Sequence, residues 1–114
     1  MTNQHLENLL ATDTKDLPRG EIFLLRAYFE SKRKGYEELA LTEICWEDDR
    51  EDLIALLRKA KVEAFLIADG SSALLETLHT FIEAGFLVTG ARTITIKEAT
   101  QWDRPIKALE ITVK

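Results

Sequence analysis

A helical segment followed by two alternating segments is the strongest constraint in this sequence. Ser71–Gly85 starts with turn and N-cap residues, carries leucines at helical spacing and ends in glycine, which predicts an α-helix. Thr93–Glu98 and Lys107–Val113 alternate apolar and polar residues, as strands with one buried face do. The polar connector Ala99–Pro105 is too short for a crossover, so the two strands should form an antiparallel hairpin.

Three further helices are predicted upstream. They cover residues 3–11, Gly20–Lys34, and a segment from Asp48 or Asp49 to Ala60, each with apolar residues on one side. Tyr36–Cys45 is ambiguous and allows a short strand. The apolar run Val62–Ala68 fits a strand covered on both faces, with a buried helical turn as the alternative. The predicted core contains Leu25, Phe29, Leu53, Leu57, Leu74, Leu78, Phe81, Ile94 and Ile111. The covered face of the hairpin should carry Ile94, Ile96, Leu109, Ile111 and Val113.

The faces of the predicted fourth helix can be assigned by the same spacing. Leu74, Leu78, Phe81 and Ile82 should face the interior, with Leu75 beside them. The outward positions are then Ser72, Glu76, Thr77, His79, Thr80 and Glu83. This surface has no basic residue and two acidic ones.

Length and composition predict a single domain over residues 1–114, in which residues 1–18 form an N-terminal helix and connector. Hydrophobic residues make up 46% of the chain, enough for a core, and the net charge is −5 with the acidic excess in residues 1–70. That balance disfavours nonspecific binding of polyanions. Cys45 is the single cysteine, and neither a membrane span nor a signal peptide is recognisable, so we expect a cytoplasmic protein without membrane contact.

The sequence offers no pattern of residues for catalysis. The histidines are His5 and His79 alone, there is no Gly-x-Ser-x-Gly motif, and the histidines do not have metal-binding spacing. The acidic residues Asp48, Asp49 and Asp52 lack the central glycine and late glutamate of a calcium loop, and they fit a helix start. We therefore predict a protein that is not an enzyme, with no catalytic residue, no metal site and no cofactor.

From Ser71 to Val113 the chain resembles the second half of a winged helix-turn-helix domain. A leucine-rich helix ends in Gly85, and Phe86-Leu87-Val88 then leads into the hairpin, which would be the wing. Gly20–Lys34 and Asp48–Ala60 would be the first and second helices. The resemblance implies an α+β, winged-helix-like fold of about four helices with a small antiparallel sheet. Ten residues, Lys61–Gly70, stand where that family has a short turn, and an extra strand there would give a different α+β fold.

Two functions are compatible with this interpretation. The first is a DNA-binding or transcription-associated protein that contacts double-stranded DNA through the wing, because the outer face of the fourth helix offers acidic residues instead of the basic ones that phosphates require. The second is an acidic protein-interaction or accessory module on the same scaffold, with a homodimer as a further alternative. Under either function, the candidate contact residues are Arg92, Lys97, Trp102, Arg104 and Lys107.

Overall fold

The computed structural model describes residues 2–12, 14–42, 49–68, 72–96 and 104–114, and of residues 14, 95, 96 and 104 it describes the backbone alone. The described part of the chain is α+β, as predicted, with four α-helices and a four-stranded sheet. In chain order the elements are α1 (Gln4–Leu10), α2 (Arg19–Arg33), β1 (Ala40–Leu41), α3 (Arg50–Lys59), β2 (Ala64–Ile67), α4 (Leu74–Glu83), β3 (Phe86–Ile96) and β4 (Arg104–Val113). None of the described helices is long and apolar enough to cross a membrane.

The orientation of α2 is set by small residues as much as by large ones. Gly20 is buried against the start of α3, where an added Cβ would collide with the Asp49 carbonyl oxygen and lie 2.9 Å from the Leu53 nitrogen. Ser31 is also buried on this side, and its hydroxyl donates to the Ala27 carbonyl at 2.8 Å. This close packing turns Phe29 outward, so its predicted place in the core is wrong: 53% of Phe29 is exposed.

The first two strands are connected along the chain through α3. β1 runs parallel to β2, with Ala40 opposite Leu66, and α3 is the crossover that a parallel pair requires. The strand predicted at Val62–Ala68 is therefore confirmed. The expectation of a purely antiparallel sheet is wrong, because β2 and β4 are antiparallel while β1 and β2 are not.

The C-terminal hairpin is antiparallel as predicted, and both of its strands are longer than expected. β3 begins at Phe86 instead of Thr93, because a bulge between Val88 and Gly90 keeps the strand paired past the glycine. A bulge inserts one residue and reverses the alternation of side chains beyond it. Ile94 consequently pairs with Ile106, on the opposite face from Ile111, which corrects the predicted common face.

The two faces of the sheet differ in what covers them. The face that packs on the helices holds the larger core, including Phe65, Phe86 and Ile111 with the buried side of α2 and α3. The other face holds a smaller cluster in which Leu66 and small alanines lie beside Tyr36, Ile94 and Ile106. Of the predicted core, Leu25, Leu53, Leu57, Phe81 and Ile111 are buried, and Leu74, Leu78 and Ile94 are partly buried.

In chain order, β2 stands between α3 and α4. β2 occupies the connection that would be a short turn in a winged helix, and it pairs with both β1 and β4. The winged-helix arrangement is therefore not confirmed, and the alternative of an additional strand describes this molecule.

Candidate functional site

The hairpin does not gather its described cations into one patch. Arg92 is opposite Ala108 and Lys107 is opposite Thr93, so the two basic side chains start from opposite faces of the ribbon. Arg92 is also balanced by acid: its Nη2 lies 2.8 Å from Glu38 Oε1 and its Nε lies 3.8 Å from Glu110 Oε1. Of the two candidate contact residues whose side chains are described, Arg92 and Lys107, only exposed Lys107 offers a cation without an ion pair to a described residue.

The other three candidate residues cannot be placed in a site. Lys97 and Trp102 lie outside the described residues, and Arg104 is described by its backbone alone, opposite Ile96. The predicted contact surface on the hairpin thus stays a prediction for these three side chains.

An apolar cavity of about 640 Å³ lies where β2 ends and the hairpin continues alone. Its walls include Ile67 and Leu74 on one side and Ile106 and Leu109 on β4. Lys107 reaches this cavity, but its walls hold few polar groups that could orient a ligand.

Helix α4 turns a polar residue inward and apolar residues outward. Thr77 is 5% exposed, whereas Leu75 is 77% and Ile82 is 51% exposed. The predictions that Thr77 faces outward and that Ile82 faces the interior are wrong for this helix. Leu75 and Ile82 are seven residues apart and therefore lie on one side of α4.

An aromatic cluster explains this orientation of α4. Phe81 packs against Phe65 and Phe86, with ring centroids 5.3 and 5.4 Å away, and the three rings meet in tilted and edge-to-face arrangements. Burying Phe81 brings Thr77, one turn earlier, to the same inner side. The helix ends at Glu83 with Ala84 as its C-cap, and Gly85 follows with φ +98°, the left-handed conformation that glycine supplies after a helix.

Beside the outer side of α4, a pocket of about 410 Å³ contains a buried arginine. Arg50, at the start of α3, is 4% exposed and lines this pocket together with Leu75 and Thr80. Its Nη1 donates a long hydrogen bond of 3.5 Å to Thr80 Oγ1, and its Nε is buried without a hydrogen-bond partner among the described residues. The Thr80 hydroxyl itself donates to the Glu76 carbonyl oxygen at 3.0 Å.

The rim of this pocket is mixed in charge. His79 Nδ1 lies 3.2 Å from Glu83 Oε1, and both side chains are exposed. Glu76 is exposed on the same rim. The arrangement puts a cation at the base of the pocket, carboxylates at its edge and an apolar wall at Leu75.

Shifted pKa values occur on α1 and α2, away from this pocket. A hydrogen bond from Lys32 lowers the pKa of Glu7, and burial raises the pKa of Tyr28. The Tyr28 hydroxyl accepts from the Asn3 backbone N–H at 2.7 Å and donates to Glu7 Oε1 at 3.1 Å. This cluster fastens α1 to α2, and we assign it a structural role.

Sequence reasoning missed Arg50 because the acidic residues around it dominate the start of α3. One signal was present: a positive charge in the first turn of a helix opposes the helix dipole, so an arginine among Asp49, Glu51 and Asp52 is unfavourable for the helix and indicates another role.

No curated protein and no solved structure matches this chain. A family model described as Domain of unknown function (DUF7698) matches residues 23–113, which run from α2 to the end of β4. The chain therefore belongs to this family of domains.

Proposed function

We propose that this protein is a non-enzymatic protein-interaction module whose partner docks on the outer side of α4. The observation that carries the proposal is the exposure of two large apolar side chains on α4: Leu75 and Ile82 are exposed, while the polar Thr77 is buried. Burying a leucine or isoleucine side chain contributes roughly 1.5–3 kcal/mol, so a partner covering both would recover a substantial free energy.

The neighbouring surface gives this side of α4 the composition of an interface. Apolar Leu75 and Ile82 are bordered by charged Glu76, His79 and Glu83. Protein interfaces commonly combine an apolar centre with a polar rim. The cytoplasmic location expected from the sequence is part of the same proposal.

DNA binding receives less support from the described residues. The outer side of α4 carries Glu76 and Glu83, and Arg92 is already paired with two carboxylates. A protein of net charge −5 also repels the phosphate backbone unless basic residues are concentrated locally. A DNA-binding or transcription-associated role stays a prediction from the sequence.

A photo-crosslinking experiment tests the interaction module. Benzoylphenylalanine replaces Leu75 in one variant and Phe29 in the other, because Phe29 is also exposed but lies on α2. We expect a discrete adduct in extract from position 75 and none of the same size from position 29. Excess unlabelled protein should compete for that adduct, and the Leu75→Glu/Ile82→Glu variant should not. Equal adducts at both positions would refute the proposal.

Two further measurements separate the remaining functions. Size-exclusion chromatography with light scattering shows whether the outer side of α4 contacts a second copy of this chain. Binding to random-sequence duplex DNA at two salt concentrations tests the alternative role. In that role, replacing Arg104 and Lys107 by alanine should weaken binding and flatten its salt dependence by up to about two units of log–log slope.

A further inference from the structure

Among the described residues, the guanidinium of Arg50 has no charged partner, although its side chain is buried. None of the ion pairs among the described residues includes Arg50, and its one hydrogen bond, to Thr80 Oγ1, has a length of 3.5 Å. A buried charge is costly unless an opposite charge and hydrogen bonds compensate it. Because its Nε has no hydrogen-bond partner among the described residues, Arg50 retains donor capacity that an anion could use.

Although Arg50 is largely buried, it lines a pocket beside the outer side of α4. Arg50 lines the pocket of about 410 Å³ whose other wall includes Leu75, the most exposed apolar residue of α4. Leu75 therefore belongs both to the proposed docking surface and to the pocket that contains Arg50. A group that enters from a partner on α4 would meet Arg50 at the base.

We infer that the Arg50 pocket receives the carboxylate of an aspartate or glutamate side chain from the protein that docks on α4. This inference rests on the proposed function and names the chemistry of its partner. A planar carboxylate matches the geometry of a guanidinium. The partner's adjacent apolar residue would pack on Leu75.

The rim of the pocket favours a carboxylate over a phosphate group. Glu76 and Glu83 stand at the opening, and each repels an entering anion. A carboxylate carries one negative charge, whereas a phosphate group carries close to two at neutral pH, so the repulsion is smaller for the carboxylate. The salt bridge with His79 partly compensates Glu83 when the imidazole is protonated.

The test observes Arg50 directly in the unmodified protein. The ¹⁵N–¹H signal of the Arg50 side-chain Nε is assigned through bonds from its backbone and followed during titration with sodium acetate, at constant ionic strength. We expect a saturable shift of this signal and of the Thr80 amide. Neutral acetamide should cause no saturable shift, and inorganic phosphate should bind more weakly than acetate.

Matched variants check that the rim controls entry. Glu76→Gln and Glu83→Gln each remove one negative charge and should raise the acetate affinity about two- to fivefold. Glu63→Gln, an exposed acidic residue beyond the opposite end of α3 from Arg50 and outside the pocket lining, serves as the control and should leave the affinity unchanged. Acetate that causes no saturable shift, or acetamide that acts equally, would overturn the inference. Tighter binding of phosphate would overturn the choice of a carboxylate.

Failure of this inference can be told apart from failure of the proposed function. If the position-75 adduct forms but Arg50→Gln competes for it as well as the unmodified protein does, the partner docks on α4 without using the pocket. We expect Arg50→Gln to compete at least about tenfold less well, because it removes one member of a buried charge pair. If acetate binds but no adduct forms, the pocket is a carboxylate site and the partner protein is refuted.

Discussion

Arg50 places a guanidinium in the interior beside α4, where a methionine side chain would fill similar space without a charge. Arg50 is unfavourable for folding in two ways. Its Nε has no hydrogen-bond partner among the described residues, and its positive charge opposes the dipole of α3. The residue is therefore better explained by binding than by folding.

This explanation predicts the effect of Arg50→Met on stability. Removing an uncompensated buried charge should leave the free energy of unfolding unchanged or raise it by about 1–4 kcal/mol. Urea denaturation followed by circular dichroism measures the difference. A loss of more than about 2 kcal/mol would show that Arg50 stabilises the fold, against the expectation.

Tyr28 gives a second prediction at the residue scale, on pH dependence. Burial raises the pKa of Tyr28 above its ordinary value of 10.0, so the unfolded chain releases this proton first and stability falls as pH rises past 10. Tyr28→Phe should cost about 1–3 kcal/mol near neutral pH, because the Asn3 N–H loses its acceptor. It should also lose less stability than the parent between pH 8 and pH 10.5.

Lys32 contributes a pH effect of the same sign, because its hydrogen bond with Glu7 raises the pKa of Lys32. The comparison therefore relies on the difference between Tyr28→Phe and the parent, which isolates the tyrosine. Identical slopes of stability against pH in the two proteins would contradict the assignment.

At the scale of elements, apolar spacing predicted the bounds of the helices in the sequence better than it predicted which side of each helix faces the core. α2, α3 and α4 lie within the predicted segments, apart from single terminal residues, because their spacing and end signals are local properties of the sequence. The inward sides of α2 and α4 depend on contacts between elements. Gly20 against α3 turned Phe29 outward, and the Phe65–Phe81–Phe86 cluster turned Thr77 inward.

Alanine substitutions along α4 test that orientation. Phe81→Ala should cost about 3–5 kcal/mol because it empties a fully buried site, and Leu78→Ala should cost about 1–2 kcal/mol because Leu78 is partly buried. Leu75→Ala should change stability by less than about 0.5 kcal/mol. Denaturant midpoints give the order. A Leu75 effect as large as that of Leu78 would mean that α4 is turned differently.

The bulge in β3 shows why the candidate contact residues did not converge. Sequence alternation suggested strands at both segments of the hairpin, and both are present. The position of a one-residue bulge has a weaker signal, here the isolated Gly90, and it decides which side chains share a face. Arg92 and Lys107 consequently lie on opposite faces, and the site at Arg50 depends on α3 and α4 instead.

On the scale of the whole molecule, β4 has two neighbouring strands along one part of its length and one along the rest. Residues 109–112 of β4 pair with β2 on one side and β3 on the other, whereas residues 104–108 pair with β3 alone among the described strands. Two-stranded ribbons are only marginally stable by themselves. The molecule should therefore open locally at the far end of the hairpin before it unfolds globally.

Native-state hydrogen exchange measures this difference. Amides of Ile111 and its neighbours in the four-stranded region should exchange with a free energy close to that of global unfolding. Amides near Ile106 and Ile94 should exchange faster, by a route that depends little on denaturant. Uniform protection along both strands of the hairpin would show that the far end is held by contacts beyond strand pairing.

The position of β4 between β2 and β3 has a consequence for synthesis on the ribosome. β2 and β3 are both made before β4, yet neither pairs with the other in the finished sheet. Until β4 emerges, the nascent chain holds a β1–α3–β2 unit and a separate helix and strand, without the backbone bonds that join them. The assembly of this domain is therefore governed by its last strand, and completion of the sheet has to follow translation of that strand.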